Sequence, residues 1–190
     1  VLAGLTESTE VVSVVAGTNG KTTTNNLIAD CLATSGRPLR CNREGNNLES
    51  GVVTSMLVKP ARVGAAAASD VPIATFECDE MYTRFVVPKA RPRFFLLLNL
   101  FRDQLDRFGE IDHIQDVVAG ALASSPETAF VYNGDDPLCA GIAERIGNPK
   151  VAFGISSDLG LAADRISESR FCQSCGAQLD YDYIHYGQLG

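Results

Sequence analysis

Seven consecutive residues, Gly17-Thr18-Asn19-Gly20-Lys21-Thr22-Thr23, combine the groups a protein uses to hold a polyphosphate. Glycines let the backbone turn so that N–H groups converge on an anion, and the start of a helix adds its positive dipole end. A lysine at this place reaches the β- and γ-phosphates, and the hydroxyl that follows it ligates magnesium. The stretch lies between the apolar run 11–16 and a helical pattern, the strand, loop and helix order that this chemistry requires. The general motif has a further glycine five residues before its Gly-Lys pair, and position 15 here is valine. All seven residues are expected at a nucleotide, with Lys21 on the phosphates and Thr22 on the metal.

Other polar groups close apolar runs. Glu77 ends the run 73–76 and, with Asp79 and Glu80, offers carboxylate oxygens of the kind hard divalent cations prefer; a solvated strand end is the plainer alternative. Asn99 and Arg102 follow the run 94–98 within NLFRDQLDR, where Arg102 with Asp106 and Asp103 with Arg107 are also spaced as helical ion pairs. Asn133, Asp135 and Asp136 stand between an apolar run and Pro137. An acidic group in such a place can take a ribose hydroxyl, and the same residues make a strong turn and helix cap with proline at the first helical position. Both roles can hold together. The segment Asn42-Arg43-Glu44-Gly45-Asn46-Asn47 reads as a loop, with at most a weak substrate- or phosphate-facing role. Cys172 and Cys175, in CQSCG, have the spacing of half a tetrahedral zinc site, with His185 as the other nearby ligand type. The remaining cysteines, Cys31, Cys41, Cys78 and Cys139, are expected to be buried or partly buried thiols.

These groups need elements to carry them. Apolar runs at 11–16, 39–42, 73–78, 94–98, 129–132 and 151–153 read as strands. Helical patterns cover 21–35, 49–58, 111–124 and 137–146; in the third, Ile111, Ile114, Val117, Val118, Ala121 and Leu122 make one stripe. Gly36-Arg37-Pro38 ends the first helix. The alternation predicts a doubly wound, mostly parallel α/β sheet over residues 1–155, with ligands at the carboxyl ends of its strands. Residues 156–190 lose that rhythm and are expected to form a linker and a small separate module. The 190 residues carry a net charge of −7 with a pI near 4.8, which argues against a nucleic-acid binder. No apolar run approaches a membrane span. The first residues have no signal-peptide character and no initiator Met, so a cytoplasmic location and a fragment of a longer chain are expected.

Taken together, GTNGKTT, Glu77, the stretch NLFRDQLDRFGEID and Asn133-Gly134-Asp135-Asp136 resemble the Mur ligase superfamily, and within it the MurT-like branch. The resemblance implies a P-loop central domain that activates a carboxylate with ATP as an acyl phosphate, which an amine then resolves. It implies Lys21 and Glu77 as catalytic residues and Thr22 and Glu77 as Mg²⁺ ligands. Residues 17–23, Asn99, Arg102, Asn133, Asp135 and Asp136 would contact nucleotide. Gln104 stands where the superfamily has a metal-binding histidine, and no lysine lies between Lys89 and Lys150, where a carbamylated one is usual. The branch further implies amidation of the D-glutamate α-carboxylate of lipid II to D-isoglutamine, with a GatD-like glutaminase partner, at the inner face of the membrane. It also implies structural zinc, with Cys172 and Cys175 as the first half of a ribbon and the chain truncated before the second. An isolated fragment of this kind is expected to be inactive. Two alternatives stay open: a ligase that adds an amino acid, like folylpolyglutamate synthase, and a nucleotide-binding zinc-ribbon interaction module.

Overall fold

The computed structural model describes residues 1–60, 69–100, 110–155, 172, 175–179, 184–185 and 188–189. Its centre is a six-stranded sheet in the order β2-β3-β1-β4-β5-β6, parallel throughout. The strands are β1 (Glu10–Ala16), β2 (Leu39–Cys41), β3 (Ile73–Glu77), β4 (Phe94–Leu97), β5 (Ala129–Asn133) and β6 (Lys150–Phe153). The helices are α1 (Leu2–Thr6), α2 (Lys21–Ala33), α3 (Glu49–Leu57), α4 (Thr83–Ala90), α5 (Glu110–Ala123) and α6 (Pro137–Arg145), with a 3-10 turn at Glu80–Tyr82. Each predicted element is present within two residues of its expected bounds, and the doubly wound parallel fold is the one expected.

Two helices were not legible in the pattern. α1 is five residues long, and α4 contains Pro88, a residue that removes a helical N–H and crowds the preceding turn. α4 nevertheless buries Val86, Val87 and Ala90, and tertiary packing of that face outweighs the local penalty.

Helices α4, α5 and α6 pack in succession on one face of the sheet, while α2 packs on β1, β2 and β3. The main core lies on the first side, with Phe76, Phe95 and Phe130 fully buried and the rings of Phe95 and Phe130 stacked 6.1 Å apart. Val117, Val118, Ala121 and Leu122 of the predicted α5 stripe are buried there. A smaller cluster of Ala29, Leu39 and Ile73 fills the α2 side. Two-sided burial holds for β3 but not for the start of the central strand β4, where Phe94 is 38 % exposed, nor for the edge strand β6, whose four residues are all exposed. Cys78 and Cys139 are buried as expected and Cys41 is half-buried; Cys31 is exposed, because it lies on the solvent side of α2.

One feature of the core is polar. Ser13 of β1 and Thr75 of β3 meet at 2.6 Å, and the Thr75 hydroxyl donates to Asn25 Oδ1 of α2 at 2.8 Å. That bond uses the single Thr75 proton, so Ser13 is the donor between them. Asn25 Nδ2 donates in turn to Asn42 Oδ1 at 3.2 Å. Asn42 clamps the end of β3, accepting from the Glu77 N–H at 2.9 Å and donating to the Glu77 carbonyl at 2.8 Å. Ser13, Asn25, Asn42, Thr75 and Glu77 are all buried, so each of these bonds answers a group that would otherwise be stranded without water.

Beyond the sheet, the Gly176 N–H bonds the Cys172 carbonyl at 2.9 Å and the Cys172 N–H bonds the Ala177 carbonyl at 2.7 Å. With Gly176 at φ 71°, this is a tight turn carrying both cysteines. Ile184–His185 (β7) and Gln188–Leu189 (β8) pair antiparallel.

Candidate functional site

β1 ends at Ala16, and the chain turns through Gly17-Thr18-Asn19-Gly20 into α2. Gly17 sits at φ +131°, and a side chain there would meet the backbone N and O of Asn99 and the Leu98 Cβ, each at 3.1 Å. Only glycine lets the loop lie this close to the end of β4.

The loop's amides divide into two sets. The Thr18 N–H bonds the Asn99 carbonyl at 3.0 Å and the Asn19 N–H bonds Asn99 Oδ1 at 2.9 Å. Asn99 Nδ2 completes the clamp by donating to the Asn19 carbonyl at 3.1 Å. These groups fix the loop's shape and face Asn99. The first turn of α2, by contrast, begins at Gly20 (φ 85°) with no side chain capping it. The first N–H groups of a helix have no partner within it, so this end is a ready anion site. The sequence expectation of a continuous cradle is refined accordingly: residues 17–19 shape the turn and residues 20–23 offer donors.

Lys21 lies folded against this turn. Its ammonium donates to the Gly17 carbonyl at 2.5 Å and to the Thr18 carbonyl at 3.2 Å, and it stands 3.6 Å from Glu80 Oε1. Both side chains of the ion pair are largely buried. Burial pushes the Glu80 carboxyl above the usual carboxylate range, and the Lys21 charge is the largest influence opposing it.

Glu77, the last residue of β3, is 1 % exposed, and its Oε2 has no hydrogen-bond partner. A buried carboxylate oxygen without a donor is costly unless a cation completes it. Gly45, at φ +83°, leaves open space beside this carboxylate. A side chain at Gly45 would come within 3.6 Å of both Glu77 Oε1 and the Thr22 hydroxyl. The carboxylate and the hydroxyl therefore border one small space roofed by glycine, with oxygen donors of the type Mg²⁺ takes. Among the described residues no group of three or more His, Cys, Asp or Glu side chains could by itself hold a metal. Mg²⁺ characteristically fills the rest of its shell with water and substrate phosphate.

Behind the 42–48 loop lies a cavity of about 790 Å³, lined by polar groups that include Arg40, Asn42, Asn46, Ser50 and Thr54. Asn42 and Gly45 line it as well, so it adjoins the Glu77 and Thr22 space.

The Asn133 to Asp136 segment is arranged differently. Asp136 Oδ1 caps α6, accepting from the N–H groups of Leu138 at 2.9 Å and Cys139 at 3.4 Å, and Oδ2 accepts from Leu100 N–H at 2.8 Å. Burial raises the Asp136 carboxyl above its ordinary range, against these three donors. Asp135 Oδ2 accepts from the Ile155 N–H at 2.7 Å, and Asn133 Oδ1 accepts from the Asp135 N–H at 3.0 Å. The turn and cap roles are thus occupied in full. Arg102 and the rest of 101–109 lie outside the described residues. Gly45 and Glu80 were the residues the sequence did not single out: the first read as loop, the second as one of three carboxylates.

Comparison with known proteins agrees with this geometry. Residues 15–186 match the Mur ligase middle domain. The lipid II isoglutaminyl synthase (glutamine-hydrolyzing) subunit MurT of Staphylococcus aureus strain N315 is 33% identical over 191 residues, covering 100% of this chain and 42% of that protein. The Streptococcus pneumoniae subunit of the same name is 33% identical over 193 residues, covering 100% of this chain and 41% of its own length. The chain therefore spans less than half the length of these relatives. Among solved structures, MurF of Acinetobacter baumannii superimposes with a TM-score of 0.65 at 20% identity, covering 83% of this chain and 33% of that one. MurF ligase of Thermotoga maritima, solved in complex with ADP, gives 0.61 at 23% identity, covering 82% and 36%. These structural likenesses speak for the fold.

Proposed function

This chain belongs to the Mur ligase family, and from that premise we propose that it is the nucleotide-binding part of an ATP-dependent amide ligase in peptidoglycan synthesis. Identity of 33% to the MurT subunits across the whole of this chain supports the narrower reading. In that reading the complete protein, with a GatD-like glutaminase partner supplying ammonia, converts the D-glutamate α-carboxylate of lipid II to the amide of D-isoglutamine. The work is placed in the cytoplasm at the inner membrane face; no helix among the described residues is long and apolar enough to cross a membrane.

The observation that carries the proposal is the buried Glu77 carboxylate, whose Oε2 has no partner and whose Oε1 borders the Gly45 space together with the Thr22 hydroxyl, at the uncapped start of α2. Thr22 and Glu77 would hold Mg²⁺, which when bound neutralises phosphate charge and orients the γ-phosphoryl group. The N–H groups of 20–23 and the Lys21 ammonium bind the phosphates and stabilise charge as the γ-phosphoryl passes to the substrate carboxylate. The carboxylate oxygen forms a bond to phosphorus, ADP leaves, and ammonia then displaces phosphate from the acyl carbon. Gly17, Thr18, Asn19 and Asn99 keep the loop in shape. Asn133 and Asp135, at the end of β5 two strands from the loop, are assigned to the adenosine side, and Asp136 to holding that segment. Arg102 is kept as a nucleotide contact, as the resemblance implies. The cavity behind the 42–48 loop, with a mixed polar and apolar lining, is assigned to the peptide that presents the carboxylate.

The Cys172 and Cys175 turn suits two thiolates of a structural zinc ribbon whose other ligands lie elsewhere in the complete protein, and residues 156–190 are assigned to that appendage, separate from 1–155. The test is amidation of lipid II by the full-length protein with its glutaminase, supplied with glutamine or ammonia. Lys21→Ala is expected to lower the rate at least ~100-fold while the protein stays folded. Preference for a free amino acid over ammonia as the amine would refute the isoglutaminyl reading, and undiminished activity of Lys21→Ala would refute the nucleotide site.

A further inference from the structure

We propose that Glu80 is a positioning residue for Lys21: its carboxylate is the counter-charge that holds the ammonium against the loop until a polyphosphate takes it over. The inference rests on the nucleotide reading above.

Four described side chains bury a polar atom without a hydrogen-bond partner, and two of them, Glu77 and Glu80, are carboxylates three residues apart on the segment leaving β3. Glu77 faces the space beside Thr22; the unbonded Oε1 of Glu80 faces Lys21. At 3.6 Å the pair is bound by charge but shares no hydrogen bond. The ammonium's actual donors go to two loop carbonyls. Neutral carbonyls and a carboxylate just out of reach retain a buried cation without locking it. A phosphate oxygen offers both the charge and the direct bond, so it can win the exchange.

Glu80 is fixed for this role by its own neighbours. Asp79 caps the 3-10 turn by accepting from the Met81 N–H at 3.0 Å, and the Glu80 carbonyl accepts from Thr83 Oγ1 at 2.6 Å. The turn's backbone thus has other anchors, and the Glu80 carboxylate also accepts from its own N–H and that of Gly17, an acceptor role that glutamine keeps. A negative charge at this place competes with the triphosphate for the same lysine. It should therefore weaken nucleotide binding while keeping the empty loop ordered, which an incidental buried ion pair need not do.

The experiment uses the full-length protein as wild type, Glu80→Gln, Lys21→Met and the double variant, titrated calorimetrically with AMP-PNP and Mg²⁺. Glu80→Gln keeps the shape and removes the charge; it is expected to bind roughly three- to tenfold more tightly than wild type, and this gain should vanish on the Lys21→Met background. Unchanged or weaker binding by Glu80→Gln, or the same gain without the lysine, overturns the proposal. A second arm needs no nucleotide: mass spectrometry follows acylation of Lys21 by an amine-reactive ester in the empty protein. Faster labelling in Glu80→Gln is expected, and equal rates overturn the assignment. If wild type takes up no AMP-PNP, the nucleotide site itself falls, and the labelling arm still decides whether Glu80 restrains the lysine.

Discussion

Two helices of this sheet begin just after a strand and within reach of the β4 end, and their first turns are finished in opposite ways. α6 opens on Asp136, whose two oxygens take three backbone N–H groups, including one from Leu100 across the gap. α2 opens on Gly20, which has no side chain to offer. Beside it the Lys21 ammonium bonds two loop carbonyls and stands 3.6 Å from Glu80 Oε1, and that oxygen and Glu77 Oε2 are buried without a hydrogen-bond partner. A capped helix start has used its donors on its own chain and gives a rigid corner. An uncapped one keeps them for an anion. Polar residues at a strand end therefore do not identify a site; what distinguishes it is unspent hydrogen-bonding capacity in a buried place.

The sharpest way to break this contrast is to crowd the open end. Gly17→Ala puts a methyl group 3.1 Å from Asn99 backbone atoms at a φ that L residues avoid. It should cost about 2–4 kcal/mol and abolish nucleotide binding, read by denaturant unfolding and calorimetry. Asp136→Ala attacks the closed end. The loss of a cap and the stranded Leu100 N–H should cost about 2–3 kcal/mol, and AMP-PNP binding should weaken through the adenosine-side segment that Asp136 holds, yet far less than for Gly17→Ala. If it instead destroyed binding in a protein of normal stability, the two helix starts would not differ as described. The smallest effect is expected at the other end of β1, remote from both. There Glu10 bonds Arg37 at 2.7 Å and Arg93 at 3.1 Å, and those hydrogen bonds hold its carboxyl below the ordinary 4.5. A lowered folded value means that the stabilisation is present above about pH 4.5 and fades as pH falls through the lowered one. Because the Glu10 side chain is about one-third exposed, the Glu10→Gln difference should be under about 1 kcal/mol at pH 7 and smaller at acidic pH, by thermal melts at both.

The glycine turn between β1 and α2 and most of the strands were legible because their signals are local. Apolar runs mark β1, β3 and β4, and the glycines and lysine at 17–21 have few other uses between a strand and a helix. The Asn133 to Asp136 segment was legible as a turn, but whether its carboxylates are spent depends on Leu100 and Ile155, neither of which is adjacent in sequence. α4 was hidden by Pro88, whose local penalty is outvoted by burial that no local pattern reveals. Gly45 looked like an ordinary loop glycine; its meaning comes from Glu77 and Thr22, which lie far away along the chain. Ser13 and Thr75 gave a faint cue as hydroxyls inside apolar runs, without naming their partners.

The buried row from Ser13 through Thr75, Asn25 and Asn42 to Glu77 behaves like a keyed set. Trading Thr75 for valine deprives Ser13 and Asn25 together, and a lone change at Asn42 releases both the edge of the sheet and the end of β3. An all-apolar version would demand several replacements at once, with every intermediate worse than either end. Stepwise variation should thus find this row nearly closed to change, however freely the surface around it drifts.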